Sequence, residues 1–167
     1  MIQHSGVVNF LTDMCRRFPM RHGDSFLSVT TMSFDISVLE IFLPLLSGAT
    51  VILVGRELVH DSEGLVEAII QSNPTIMQAT PSLWRTLVSG LSGRMNGLRI
   101  LVGGEALPDD LAVALNNVSP DVTNLYGPTE TTIWSTVARV AADAPSSGIG
   151  RPIANTEVFV LDRFGGL

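Results

Sequence analysis

The clearest indication of the architecture lies in residues 75–102, which read TIMQATPSLWRTLVSGLSGRMNGLRILV. This segment begins with a short apolar run at 75–79, continues as a helical pattern from Pro81 to Val88, and ends in a second apolar run at 98–102. A strand, a helix and another strand in this order are typical of a parallel βαβ unit. We therefore predict an α/β fold.

The same alternation continues on both sides of this unit. Further helices are predicted behind the candidate N-cap Ser5 and at 38–46, 62–72 and 108–115, and further strands at 26–31, 50–54 and 122–125. The run at 50–54 is apolar and largely β-branched, which predicts a strand buried on both faces of a mainly parallel sheet. Beyond Ile133, strands at 134–140 and 157–161 predict the beginning of an antiparallel β appendage, and Asp143 to Gly148 is predicted to be a surface linker.

Composition excludes several classes of protein. The chain has 167 residues, enough for one layered domain, and no second domain is indicated. Its net charge is -6 and it contains no basic run, so nucleic acid is not an expected partner. The apolar runs are far shorter than the roughly 20 residues that a membrane span needs. The single Cys15 forms no internal disulfide, and we expect a cytoplasmic protein without membrane association.

Polar residues that suit a nucleotide follow two of the predicted strands. The strand at 98–102 is followed by two glycines, which let a flat group approach the backbone, although they also suit a plain tight turn. After the strand at 122–125, Tyr126 could stack on a base, Thr129 could donate to a phosphate oxygen, and Glu130 could hold Mg²⁺. A Gly-Pro turn with a helix-capping Thr129 and a solvated Glu130 is the alternative interpretation.

The motifs nevertheless carry a specific resemblance, which covers essentially the whole chain. NLYGPTE at 124–130 resembles the signature of nonribosomal peptide synthetase adenylation domains, within the adenylate-forming (AMP-binding) superfamily. Four further motifs follow that family's order: FDIS at 34–37, QATPS at 78–82, VGGEAL at 102–107 and IGRPI at 149–153. The resemblance implies that the chain is an α/β portion of the large N-terminal part of an adenylate-forming enzyme.

The resemblance also implies roles for individual residues. Asn124 and Tyr126 would contact adenine, and Thr129 would meet the α-phosphate. Glu130 would bind the metal, so that Thr129 and Glu130 are the implied catalytic residues. The residues implied to bind the nucleotide, ATP, are Gly103, Gly104, Glu105, Asn124, Tyr126, Gly127 and Thr129.

A second set of implied positions forms the pocket for the amino acid. Asp35 would pair with the α-ammonium group, a role that suits a partly buried carboxylate, whereas capping of the following helix is the alternative. The implied lining residues are Asp35, Ile36, Leu39, Gln78, Leu101, Gly103, Leu125, Ile133 and Trp134. Because several of these side chains are large, they would leave little room for a substrate side chain. The set is similar to those that accompany glycine in the family, with alanine as the second expectation.

The resemblance further predicts that residues 1–167 are an incomplete adenylation domain. The family's upstream phosphate loop and its C-terminal subdomain, with a ribose-binding Asp and a Lys, have no counterpart in this sequence. We therefore expect negligible activity from the segment alone. A complete enzyme would form an aminoacyl-adenylate from ATP and then acylate a carrier protein's phosphopantetheine, alongside carrier and condensation domains of a larger synthetase.

Two rival functions stay open on the sequence. An acyl- or aryl-CoA ligase belongs to the same superfamily, but its substrate has no ammonium group to pair with Asp35, and a buried unpaired carboxylate is costly. A truncated product retained as a non-catalytic binding module is the other alternative.

Overall fold

The computed structural model describes residues 1–95, 97–141 and 148–167, and the described strands form one sheet. The helices are α1 His4–Arg17, α2 Ser37–Leu46, α3 Arg56–Val59, α4 Ser62–Ser72, α5 Pro81–Leu91 and α6 Asp109–Val118. The strands are β1 Ser25–Ser28, β2 Thr50–Leu53, β3 Ile76–Ala79, β4 Arg99–Gly103, β5 Val122–Tyr126, β6 Thr136–Arg139 and β7 Arg151–Pro152. Within the described residues, the sheet has the order β2-β1-β3-β4-β5-β6-β7.

The direction of the strands confirms the predicted α/β fold. Strands β1 to β5 are parallel, whereas β6 pairs antiparallel with β5, and β7 antiparallel with β6. The carboxyl ends of β3, β4 and β5 therefore meet at one edge of the sheet, which is where open α/β sheets bind ligands.

Helices cover both faces of the sheet, which produces two separate apolar cores. Alternate residues of a strand point to opposite faces, so Met77 and Ile100 enter one core while Ile76 and Leu101 enter the other. The first core includes residues of α4, α5 and α6, among them the fully buried Trp84. The second includes residues of α1 and α2 and extends to the segment that follows β5.

Local sequence explains where several helices begin and end. The Thr80 side chain caps α5 by accepting a hydrogen bond from the Leu83 N–H at 3.3 Å, and Pro81 occupies the first turn. Asp61 caps α4 in the same way. The predicted N-cap at Ser5 is wrong, because the N-cap position of α1 is Gln3, two residues earlier. Every helix in the described part of the chain is too short or too polar to cross a membrane.

Two predictions about strands are wrong, and the prediction of a surface linker falls mostly outside the described residues. Strand β2 is a partly exposed edge strand rather than a strand buried on both faces. Residues 157–161 form no strand, since no neighbouring strand among the described residues pairs with them. The short helix α3 was not predicted at all. Of the predicted linker Asp143 to Gly148, only Gly148 lies within the described residues.

Candidate functional site

A cavity of about 540 Å³ opens at the carboxyl edge of β4 and β5. Five of the seven predicted nucleotide-binding residues line it: Gly104, Glu105, Asn124, Tyr126 and Gly127. The Tyr126 ring is half exposed, so one face is free for stacking, while the Asn124 side chain is buried. The Asn124 Nδ2 donates a hydrogen bond to the Gly148 carbonyl at 3.0 Å. The cavity thus combines an aromatic face with a fixed amide.

The turn after β5 is closed too tightly for any residue but glycine at position 127. A Cβ atom on Gly127 would lie 2.6 Å from the Ile133 carbonyl oxygen and 2.6 Å from the Ser135 nitrogen. The neck of this loop is held by a hydrogen bond of 2.8 Å from the Ser135 N–H to the Tyr126 carbonyl. Gly127 therefore lets the chain return directly beside the end of β5.

Thr129 and Glu130 lie outside the lining of this cavity, on a single turn of 3₁₀ helix, Thr129–Thr131. Both residues are exposed, and the Thr129 hydroxyl does not cap the turn, so that alternative interpretation of the residue is wrong. Glu130 belongs to none of the ion pairs in the described part of the chain. Its two carboxylate oxygens are available to a ligand.

Glu105 already has a partner in the fold. Its Oε2 accepts hydrogen bonds from the Ser82 N–H at 3.2 Å and from the Ser82 hydroxyl at 2.6 Å. These bonds place a carboxylate at the N-terminus of α5, where the helix dipole favours negative charge. Glu105 thus links the loop after β4 to the start of α5 while it lines the cavity.

The predicted pocket residues come together below this cavity. Ile36, Leu39, Leu101, Leu125, Ile133 and Trp134 are packed in one buried core cluster, and Gln78 and Gly103 are buried as well. Trp134 is 1% exposed and belongs both to this cluster and to the lining of the cavity. Leu125 is likewise shared, so the predicted nucleotide site and the predicted amino-acid site are adjacent at these two residues.

The Trp134 ring occupies space that the missing side chain of Gly103 leaves open. A Cβ atom at position 103 would lie 2.7 Å from the Trp134 Cη2 atom and 2.4 Å from the Leu125 carbonyl oxygen. The indole N–H donates to the Gln78 Oε1 at 2.9 Å, and the Gln78 Nε2 donates to the Ile36 carbonyl at 3.0 Å. Packing and hydrogen bonds together hold the ring in one orientation.

Asp35 stands at the rim of this cluster, immediately before Ile36. Its side chain is half-buried and does not cap α2, whose first residue is preceded by Ile36. The cap interpretation of Asp35 is therefore wrong. In the part of the chain that the structure describes, Asp35 belongs to no ion pair. A carboxylate in this setting can accept a cationic ligand.

One residue of this region, Glu40, was missed by the sequence analysis. It is fully buried on α2, and burial raises the pKa of its carboxyl group, while hydrogen bonds from Thr30, Gln78 and Ser28 oppose the rise. Its only signal in the sequence is an acidic residue inside the otherwise apolar helix SVLEIFLPLL. Such a residue is ordinarily assigned to the exposed face of a helix.

The backbone that carries Ile133 and Trp134 back into the core is strained. Thr132 and Ile133 have φ values of 74° and 69°, in the left-handed region that β-branched residues rarely enter. Each such residue costs on the order of 1–3 kcal/mol and persists only where its surroundings enforce it. The strain lies next to the pocket wall.

A magnesium ion in a nucleotide site needs only one or two ligands from the protein. No group of three or more His, Cys, Asp or Glu residues that could hold a metal occurs within the described residues. Magnesium in nucleotide sites is commonly held by one or two carboxylates together with phosphate oxygens and water. The free carboxylate of Glu130 fits that requirement.

Comparison with known proteins gives a consistent set of relatives. A family model described as "AMP-binding enzyme" matches residues 1–166. The dimodular nonribosomal peptide synthase of Bacillus subtilis (strain 168) is 45% identical over 164 residues, which cover 98% of this chain and 7% of that protein.

Two solved structures share the fold. A four-domain nonribosomal peptide synthetase bound to AMP and glycine matches with a TM-score of 0.87 at 37% identity, over 98% of this chain and 12% of that one. The Vibrio cholerae adenylation domain AlmE, in complex with glycyl-adenosine-5'-phosphate, matches with a TM-score of 0.81 at 27% identity, over 90% of this chain and 30% of that one. The chain thus spans a small part of the length of these relatives.

Proposed function

The chain belongs to the AMP-binding enzyme family, as part of an adenylation domain of the nonribosomal peptide synthetase type, and we propose that it selects a small amino acid for activation by ATP. Glycine is the first candidate and alanine the second. The activated product would be an aminoacyl-adenylate, which is then transferred to the phosphopantetheine thiol of a carrier protein. Carrier and condensation domains of a larger synthetase are the proposed partners.

The observation that carries this proposal is the filled pocket. Leu39, Gln78, Leu125 and Trp134 are buried, and we propose that they surround the position that an amino-acid side chain would occupy. A packed interior resists inserted atoms, so a larger substrate could bind only by displacing these residues. Glycine has no side chain to place there.

Asp35 supports the assignment of an amino acid as the substrate. Its half-buried carboxylate lies beside the pocket and takes part in no ion pair within the described residues. A hydrogen bond between this carboxylate and an α-ammonium group would be charge-assisted, and so stronger than one between neutral groups. A fatty or aryl acid offers no such partner, which disfavours the CoA-ligase alternative.

The cavity above the pocket supports the assignment of the nucleotide. We propose that Tyr126 stacks on adenine, that Asn124 helps to recognise the base, and that Thr129 donates to the α-phosphate. Glu130 would hold Mg²⁺, which when bound neutralises charge on the phosphate oxygens. Gly103, Gly104 and Gly127 would allow the nucleotide to approach the backbone, with Glu105 fixing the loop.

These roles bring the carboxylate of the amino acid to the α-phosphate of ATP, at the boundary between the two predicted sites that Trp134 lines. A carboxylate oxygen of the amino acid would attack the α-phosphorus of ATP, and the bond from that phosphorus to the bridging oxygen of pyrophosphate would break. The protein's task in this step is to position the substrates. Asp35 would bind the ammonium group of the amino acid, Thr129 would donate to the α-phosphate, and Glu130 would hold the Mg²⁺. The thiol of the carrier would later attack the acyl carbon and release AMP.

The test is amino-acid-dependent ATP–pyrophosphate exchange by a complete adenylation domain that contains this chain. We expect exchange to be dominated by glycine, with alanine next and bulky amino acids far lower. Strong exchange with a bulky amino acid would refute the pocket argument while leaving amino-acid activation intact. Absence of exchange with every amino acid, together with CoA-dependent consumption of a carboxylic acid, would favour the acyl-ligase alternative.

A further inference from the structure

The buried Glu40 carboxylate is connected to the pocket wall by an unbroken series of hydrogen bonds. We propose that Glu40 is a positioning residue, which fixes the orientation of the Gln78 amide and through it the orientation of Trp134 against the substrate. This inference rests on the proposed function, since it concerns the selection of the small amino acid. It adds a specificity-determining residue that lies behind the predicted pocket lining.

The environment of Glu40 presents hydrogen-bond donors to both of its oxygens. Oε2 accepts from the Ser28 hydroxyl at 2.8 Å and from the N–H groups of Val29 and Thr30, each at 3.1 Å. Oε1 accepts from the Thr30 hydroxyl at 2.6 Å and from the Gln78 Nε2 at 2.9 Å. Because two of these donors are backbone N–H groups, which cannot reverse their role, Oε2 is fixed as an acceptor.

The next link is the Gln78 amide, whose orientation follows from its neighbours. Its Nε2 group donates to Glu40 and to the Ile36 carbonyl at once. If the amide turned over, its oxygen would face two acceptors. The Gln78 Oε1 therefore points to the other side, where it accepts from the Trp134 N–H at 2.9 Å. The amide has one favourable orientation.

Trp134 completes the series, because its indole nitrogen can only donate. This bond holds one edge of the ring while the opposite edge lies against Gly103. All three side chains are buried, with Glu40 and Gln78 at 0% and Trp134 at 1% exposure, so water cannot replace a broken bond. Buried polar networks of this kind specify one arrangement when every member is satisfied.

An isosteric substitution, Glu40→Gln, separates this role from simple packing. Since Oε2 must remain an acceptor, the new NH₂ group takes the place of Oε1 and faces the Gln78 Nε2. Relief of that conflict requires the Gln78 amide to turn over. Its own NH₂ then faces the indole N–H of Trp134, so that neither donor has an acceptor, and its oxygen faces the Ile36 carbonyl. The substitution thus disrupts the hydrogen bonds of Gln78 at the pocket wall, while the volume of the side chain at position 40 stays the same.

The experiment compares E40Q with unmodified protein in a complete adenylation domain, by exchange with glycine and alanine. Loss of one buried hydrogen-bond partner corresponds to about a 5- to 150-fold effect. We expect the glycine-to-alanine ratio of kcat/KM to fall within that range, chiefly through a higher KM for glycine. The matched control is E67Q, an exposed Glu paired with Arg94 on the surface, for which we expect no change in the ratio.

A second variant removes the indole N–H of Trp134, the last donor in this series of hydrogen bonds. In a Trp134→Phe background the ring has no N–H to satisfy, so adding E40Q should change the ratio less than twofold. If E40Q alone does not fold, the double variant should fold and support the proposal, whereas failure of both to fold would overturn it. An effect of E40Q that is equal with Trp134 and with Phe at position 134 would also overturn it.

A spectroscopic measurement keeps this inference separate from the proposed function. The indole N–H resonance of Trp134, assigned by its disappearance in the Trp134→Phe variant, should shift in E40Q and stay in place in E67Q. An unshifted resonance would refute the positioning role whether or not amino acids are activated. Absence of exchange in the unmodified protein, with the resonance shifted as expected, would refute only the proposed function.

Discussion

Replacing Trp134 by leucine should let the proposed glycine pocket accept alanine or larger amino acids. The indole ring is 1% exposed and fills the space above Gly103, so its shortening opens room directly at the pocket wall. A single methyl group is worth about 1–3 kcal/mol in such discrimination. By the relation of about 1.4 kcal/mol to a factor of ten, the alanine-to-glycine ratio of kcat/KM should rise about 5- to 150-fold.

The assay is ATP–pyrophosphate exchange across a panel from glycine to leucine, with thermal denaturation measured on the same preparations. Trp84→Leu is the matched control, because Trp84 is equally buried and its indole also donates, to the Leu101 carbonyl at 3.0 Å. Trp84 lies in the core on the other face of the sheet, away from the pocket. Both variants should lose stability, since truncation of a buried aromatic residue costs up to about 3–5 kcal/mol.

Only the Trp134 variant should change the order of preferred substrates. If the two variants lose stability equally and the preference for glycine survives in both, the filled pocket is not what selects the substrate. If Trp84→Leu also relaxes selectivity, the effect comes from destabilisation of the domain rather than from removal of the Trp134 ring from the pocket.

Three further outcomes follow from the structure. Asp35→Asn should lower kcat/KM for the amino acid about tenfold to hundredfold in the exchange assay, the value of a hydrogen bond to a charged group, with KM for ATP unchanged; an equal effect on both substrates would contradict the ammonium-binding role. Gly103→Ala should lower the free energy of unfolding by about 1–3 kcal/mol, because its Cβ would meet the Leu125 carbonyl at 2.4 Å and the Trp134 ring at 2.7 Å; unchanged urea denaturation would refute the close approach. Burial raises the pKa of Glu40 in the folded state above its ordinary value of about 4.5. The contribution of Glu40 to stability is therefore full at pH values below 4.5 and is lost as the pH rises through the folded pKa. Urea denaturation over a pH series should show the difference in unfolding free energy between the unmodified protein and E40Q falling as the pH rises, and a rising difference would contradict the shift.

The strands and most helices could be predicted because periodicity of apolar residues is a local property. The position of a strand within the sheet is not local, and this explains the error on β2. Its apolar run is the same whether a neighbour covers one edge or two, and only the strand order places it at the edge. Residues 157–161 have strand-like composition, but a strand also needs a partner for its backbone.

The site was predictable to the extent that it follows motifs at strand ends. Gly103 and Gly127 could be identified because glycine at a strand end often marks a close approach, although the groups that approach them are known only from the fold. Glu40 could not be identified, since its donors lie on other segments, at the end of β1 and on β3, which only the fold brings to it. The left-handed backbone at Thr132 and Ile133 runs against the preference of β-branched residues, and therefore gives no sequence signal.

The tight neck of the loop after β5 limits how this protein could change its substrate. Residues 127–134 leave and re-enter the sheet through a gap closed by the bond between Ser135 and Tyr126, with space at Gly127 for a hydrogen atom only. An insertion or deletion there would shift the phase of β6 relative to β5 and turn inward-facing residues outward. New selectivity on this scaffold must therefore arise by exchanging side chains at constant loop length, one position at a time, while the backbone path stays unaltered.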